Sequence, residues 1–145
     1  MHAEERVGLL DTNILILRRM IDPAHLPDRI SVSAVTLAEL SAGVHLVAGD
    51  EPADRDERAR RTEVLQRTES EFDPIPFDAE AARAFGRLAA ATRDAGRTPR
   101  RRVADLMIAA VAAAHRLPLY TTHPADFVGL DDVVEVVAVP RPGSA

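Results

Sequence analysis

Val7-Gly8-Leu9-Leu10-Asp11-Thr12-Asn13 decides the fold. An apolar run of strand length, residues 7–10, ends on an acid, and the next residues open a helix expected to run from 12 to about 20. Outward from this stretch, strands and helices keep alternating. Pro23 and Pro27 mark a turn, and residues 30–33 alternate apolar and polar as a second short strand. Helical periodicity follows over 34–47. After a loop at 49–52, residues 54–71 form a highly charged helix anchored mainly by Val64 and Leu65. Residues 74–77 are a short strand at best, because Pro74 and Pro76 confine it to an edge. Asp78 caps a helix from 79 to about 95, which Gly96 ends. A basic stretch at 97–102 leads into an apolar helix over 103–115, and strands follow at 119–122 and 133–139. The tail from about 140 to 145 is expected to fray. Strands separated by helices imply one α/β domain spanning 1–145, with a parallel sheet covered on both faces. In such sheets ligands collect beyond the carboxyl ends of the strands, where Asp11 and residues 121–126 lie.

Composition narrows the chemistry. The 145 residues contain no cysteine, which removes disulfides, thiolate nucleophiles and zinc–sulfur sites. They also contain no lysine: all 18 basic residues other than histidine are arginines. Schiff-base catalysis, a phosphate-loop lysine and lysine-dependent aspartyl-phosphate chemistry are therefore excluded. A net charge of −5 argues against wrapping nucleic acid on a uniformly basic surface. It leaves room for an acidic cleft flanked by arginines. The longest apolar run, 106–114, falls far short of the roughly 20 residues a bilayer requires. Glu4, Glu5 and Arg6 precede only a short apolar run, so no signal peptide and a cytoplasmic location are expected.

Four acids stand out, each with a plainer reading beside the functional one. Asp11 follows a buried strand and can serve as a helix cap or point a carboxylate into the cleft. Glu39, on a helix, can be merely solvated. Asp105 sits among small and apolar residues, where a lone carboxylate is costly unless it is paired, hydrogen-bonded or metal-bound. The helix dipole offers an alternative welcome in the first turn. Asp126 reads equally as a turn cap. His123 reads first as a loop residue, with a supporting neighbour of a metal site or a proton carrier as the alternatives, and His45 and His115 read as surface residues. Carboxylates converging in one cleft would raise one another's pKa, and a divalent ion would relieve that. Hard oxygen donors without cysteine point to Mg²⁺ or Mn²⁺. Such an ion activates water for displacement at phosphorus.

Asp11-Thr12-Asn13 after an apolar strand, Glu39 between alanine and leucine, Asp105-Leu106-Met107-Ile108-Ala109-Ala110, and Thr121-Thr122-His123-Pro124-Ala125-Asp126-Phe127 together resemble the four motifs of PIN domains. Their order and spacing are most similar to VapC-type toxins of bacterial toxin–antitoxin pairs. The resemblance covers residues 7 to about 140. It implies a three-layer α/β/α sandwich around a parallel five-stranded sheet. It also implies Mg²⁺- or Mn²⁺-dependent RNA cleavage leaving a 5′-phosphate and a 3′-hydroxyl, a homodimer, and silencing by a small antitoxin whose basic side chain reaches the acidic cleft. On this match Asp11, Glu39 and Asp105 become metal-site carboxylates supported by Thr12, Asn13 and Thr121. Many relatives carry Asp or Asn where this chain has His123, which leaves Asp126 as the nearest candidate for a fourth acid.

Arg97, Arg100, Arg101 and Arg102 precede Asp105 and are expected to contact RNA phosphates near the cleft. Aromatic residues make up 3% of the chain, so no stacking platform for bases is evident. The competing function is a non-catalytic PIN-like module that binds RNA or protein. It would leave growth unaffected on expression and would bind neither Mg²⁺ nor Mn²⁺. A response-regulator-like or other carboxylate phosphohydrolase fits less well: the lysine is missing, and so is an Asp-x-Asp pair after the first strand.

Overall fold

β1 (Val7–Leu10) is buried and lies inside the sheet, and its alternation explains the layering. Successive strand residues point to opposite faces. Leu9 accordingly enters one core, with Ala84, Leu88, Leu106 and Ile108, while Leu10 enters another with Ile14, Leu15 and Tyr120. A sheet with apolar side chains on both faces needs helices on both, and that is the arrangement here. The computed structural model describes residues 4–143. Residues 144 and 145, the end of the expected frayed tail, lie outside the described residues.

In chain order the remaining elements are α1 (Thr12–Leu17), β2 (Arg29–Ser31), α2 (Ala34–His45), α3 (Pro52–Glu71), α4 (Ala79–Asp94), α5 (Val103–Ala114), β3 (Leu119–Thr121) and β4 (Val136–Ala138). The strands pair in parallel in the order β2-β1-β3-β4. α4 and α5 cover the face that receives Leu9, and α1 covers the other. β1 has β2 on one side and β3 on the other, so the connections leave it in opposite directions. The crevice at the carboxyl ends of β1 and β3 is a topological switch point. Glycine at position 8 leaves room for the Tyr120 ring from β3 to lie against β1: a Cβ there would collide with it.

The sheet has four strands among the described residues, not five. The segment expected to supply the fifth contributes a single parallel bridge, Ser33 to Ile75. Ile75 donates its N–H to Val32 at 2.9 Å and accepts from Ala34 at 2.8 Å. Pro74 and Pro76 on either side have no N–H to offer, so the ladder stops after one residue. Smaller differences have local causes. α1 ends at Leu17 and tightens into a 3-10 turn over Arg18–Met20. The second strand stops at Ser31, because Ser33 turns to cap α2, its hydroxyl accepting from the Val35 N–H at 3.0 Å. α3 begins earlier than expected, with Pro52 in the first turn, where a missing N–H costs nothing. It buries only Thr68 fully, in keeping with its charge. No helix among the described residues is long and apolar enough to cross a membrane.

Candidate active site

Asp11 stands at the end of β1, where it caps α1 and lines a groove beyond the sheet. Its backbone N–H continues the β1–β3 ladder to the Tyr120 carbonyl at 2.9 Å. Carboxylate Oδ1 caps α1, accepting from the Thr12 N–H at 2.8 Å. Oδ2 accepts from the Thr121 hydroxyl at 2.8 Å. Only 5% of the residue is exposed, and this burial raises its pKa above the usual aspartate range. The two hydrogen bonds and His123 pull the other way, while Asp126 adds to the rise.

The carboxylate therefore sits in a prepared socket. Thr121 is fully buried at the end of β3, and its oxygen also accepts the His123 N–H at 3.0 Å, fixing the turn that follows.

Thr12 links two acids. While its N–H serves Asp11, its hydroxyl donates to Glu39 Oε1 at 2.7 Å, which brings the half-buried α2 glutamate to the end of β1. Asp105 enters from the first turn of α5. Its pKa is pushed up to about 6, first by burial, then by the negative charges of Asp11, Asp126 and Glu39, with Arg102 opposing. Like charges act this way only at short range, so the shift reports the convergence of acids that are distant in sequence.

Asp11, Thr12, Asn13, Glu39 and Asp105 all line one groove of about 640 Å³ that continues along α3, with Arg60 and Arg67 on its far wall. Asn13 is exposed in it. Among the described residues, no group of three histidine, aspartate or glutamate side chains is close enough to ligate one metal ion. The acids share a groove without forming a closed cage.

Asp126 lies on a second pocket of about 410 Å³, reached from the same Asp105 and lined by Gly96, Arg97, Thr98, Arg101 and Arg102. There it forms an ion pair with Arg102, Nη1 to Oδ1 at 2.9 Å. The expected basic cluster thus divides. Arg102 is engaged with Asp126, Arg97 and Arg101 line the pocket, and Arg100 projects from the surface without lining it. His123 is half-buried, whereas His45 and His115 are exposed on their helix ends.

Two features were not anticipated. Thr36 is fully buried, and its hydroxyl is 3.0 Å from that of Thr12. The signal was its place three residues before Glu39 on the same helix, where side chains share a face. The other is that the highly charged α3 supplies a wall of the groove.

Residues 8–132 match the family model of the PIN domain. Ribonuclease VapC5 of Mycobacterium tuberculosis (strain ATCC 25618 / H37Rv) is 40% identical over 144 residues, covering 96% of this chain and all of that protein. Ribonuclease VapC8 of the same organism is 36% identical over 111 residues, covering 76% of this chain and 94% of its own. The chain therefore belongs to the PIN domain family, among the VapC ribonucleases. Among solved structures, VapBC-5 of M. tuberculosis, a member of the VapBC family of toxin–antitoxin systems, superposes with a TM-score of 0.73 at 36% identity, over 93% of this chain and 98% of that one. VapBC2 of Rickettsia felis, bound to a promoter DNA fragment, reaches 0.67 at 19% identity over 92% and 98%, a likeness of fold.

Proposed function

We propose that this chain is the toxin of a toxin–antitoxin pair, an endoribonuclease that hydrolyses RNA phosphodiester bonds with Mg²⁺ or Mn²⁺. The observation that carries this reading is the convergence of Asp11, Glu39 and Asp105 in one groove at the switch point of the sheet. The donor set fits such an ion. It is all oxygen, and two of its carboxyls are held at raised pKa by burial, a penalty a divalent cation relieves. Mg²⁺ commonly takes one or two carboxylates and keeps waters for the rest, which suits a groove without a closed cage.

Asp11 and Asp105 would hold the ion, with Glu39 on the same side. When bound, the ion polarises water and stabilises the negative charge that builds at phosphorus.

The chain's own residues supply the order. Thr121 and the Thr12 N–H fix both oxygens of Asp11, so that carboxylate needs little reorganisation. Thr12 aims Glu39. Asp126 adds its field to Asp105 and holds Arg102 at the cluster. Asn13 faces substrate in the open groove, and His123 stands at the edge of the site. Arg97 and Arg101 have no side-chain hydrogen bond or ion pair among the described residues, which leaves their guanidinium groups free for RNA phosphates, with Arg100 adding long-range attraction.

A small antitoxin is the expected partner, placing a basic side chain against the acids, and the toxin works in the cytoplasm as a homodimer. The solved VapBC-5 likeness supports the antitoxin reading.

Total RNA incubated with the parent, Asp11→Asn and Asp105→Asn in Mg²⁺, Mn²⁺ or chelator tests the proposal. Even partners outside the ligand shell commonly cost tenfold to a hundredfold, so each variant should lose at least about a hundredfold. Equal cleavage by all three proteins would end it.

A further inference from the structure

Most helical threonines here whose hydroxyl partners are seen spend the proton on their own helix. Thr62 donates to Arg58, Thr68 to Val64 and Thr92 to Leu88, each at 2.8 Å and four residues back. This is the ordinary fate of a threonine on a helix. Thr36 departs from it. It lies in the first turn of α2, so the carbonyl four residues back is that of Val32, outside the helix and already accepting the Ile75 N–H at 2.9 Å. Although fully buried, the Thr36 hydroxyl has one partner among the described residues, the Thr12 hydroxyl at 3.0 Å.

The direction of that bond follows from a proton inventory. An ionised carboxylate only accepts, so the one hydroxyl proton of Thr12 goes to Glu39 at 2.7 Å. Thr36 is then the donor, and the chain runs from Thr36 to Thr12 to Glu39. Without it, the Thr12 side chain would still carry a donor but lose the contact that selects its rotamer. The consequence falls on Glu39 alone, because the bond from Thr12 to Asp11 comes from the backbone N–H and does not depend on the side-chain rotamer.

We propose that Thr36 is a positioning residue: its buried hydroxyl locks the Thr12 rotamer so that Glu39 is held toward the groove it shares with Asp11 and Asp105, where a divalent cation would bind. The cation is part of the function proposed above, so this inference rests on that reading. The locking is a property of the metal-free protein and is testable without it.

Thr36→Val keeps the shape and removes the hydroxyl, whereas Thr36→Ser keeps the hydroxyl. Methyl-labelled threonine NMR on the metal-free protein should show one Thr12 rotamer in the parent and in Thr36→Ser, and averaging in Thr36→Val. Mn²⁺ binding followed by electron paramagnetic resonance should weaken about tenfold in Thr36→Val and stay near the parent in Thr36→Ser. A fixed Thr12 in folded Thr36→Val, or averaging in Thr36→Ser, overturns the inference. So does parental Mn²⁺ affinity in Thr36→Val. If Thr36→Val does not fold, the serine variant decides alone. If the parent itself binds no Mn²⁺, the proposed function fails, and the rotamer comparison still decides the role of Thr36.

Discussion

Asp105→Asn should make the metal-free protein more stable while removing a carboxylate its chemistry needs. In the folded protein the Asp105 carboxyl titrates at about 6 instead of the ordinary 3.8. A folded value above the unfolded one means that ionisation works against folding. The penalty is complete above about pH 6, shrinks as the pH falls, and is gone below 3.8. At about 1.4 kcal/mol per tenfold change in proton affinity, the ceiling is about 3 kcal/mol. The carboxyl lies half-exposed on the groove, and solvent screening reduces this to about 1–2 kcal/mol. Against it stands the favourable placement of an anion in the first turn of α5, about 0.3–1 kcal/mol, which asparagine forfeits. The penalty, from burial first and from the neighbouring acids second, wins by about 1 kcal/mol, which for a domain of this size is a rise of about 2–4 °C in the melting midpoint. Thermal denaturation in chelator at about pH 7.5 should show that rise, and at about pH 4 the two proteins should melt together or in reverse order. Adding Mg²⁺ should raise the parent's midpoint and leave the variant nearly unmoved. A variant less stable than the parent at pH 7.5, or equal stabilisation of both by Mg²⁺, refutes the idea that Asp105 is held ionised against burial and the charges of its neighbours.

Thr121→Val strips one donor from Asp11 and leaves the His123 N–H without its partner, so it should cost about 1–3 kcal/mol, read as a lower denaturant midpoint. No loss of stability would mean the socket around Asp11 is incidental. Replacing Arg97 and Arg101 together by glutamine should weaken RNA binding and flatten its dependence on salt by about two contacts; an unchanged salt slope would move the phosphate path elsewhere. Gly8→Ala forces a methyl into the Tyr120 ring between adjacent strands and should destabilise the fold by about 1–3 kcal/mol, as chemical unfolding would show. A neutral result there would mean the ring can shift freely.

What the sequence disclosed follows physical range. Alternation of apolar strands with periodic helices is written locally, and β1, α2, α4 and α5 lie close to where that pattern puts them. Asp11 and Asp105 were legible because each breaks an apolar context, and the break is itself a local signal. The missing fifth strand turned on whether one residue between two prolines can sustain a ladder, which depends on a partner elsewhere. Thr36 was illegible for a similar reason. A threonine in a helix looks like many others until the position of Thr12, 24 residues earlier, reveals its partner. The ion pair of Arg102 with Asp126 likewise joins residues 24 apart, and it separates one arginine from a cluster that looks uniform in the sequence.

The bond from Thr121 to Asp11 spans 110 positions, and it has a consequence for the birth of the protein. A ribosome that has made β1 through α2 has delivered two of the acids but neither β3 nor the Thr121 hydroxyl that seats the first of them. Asp11 can be seated only once the strand ending at Thr121 has been made, 110 residues after the acid itself.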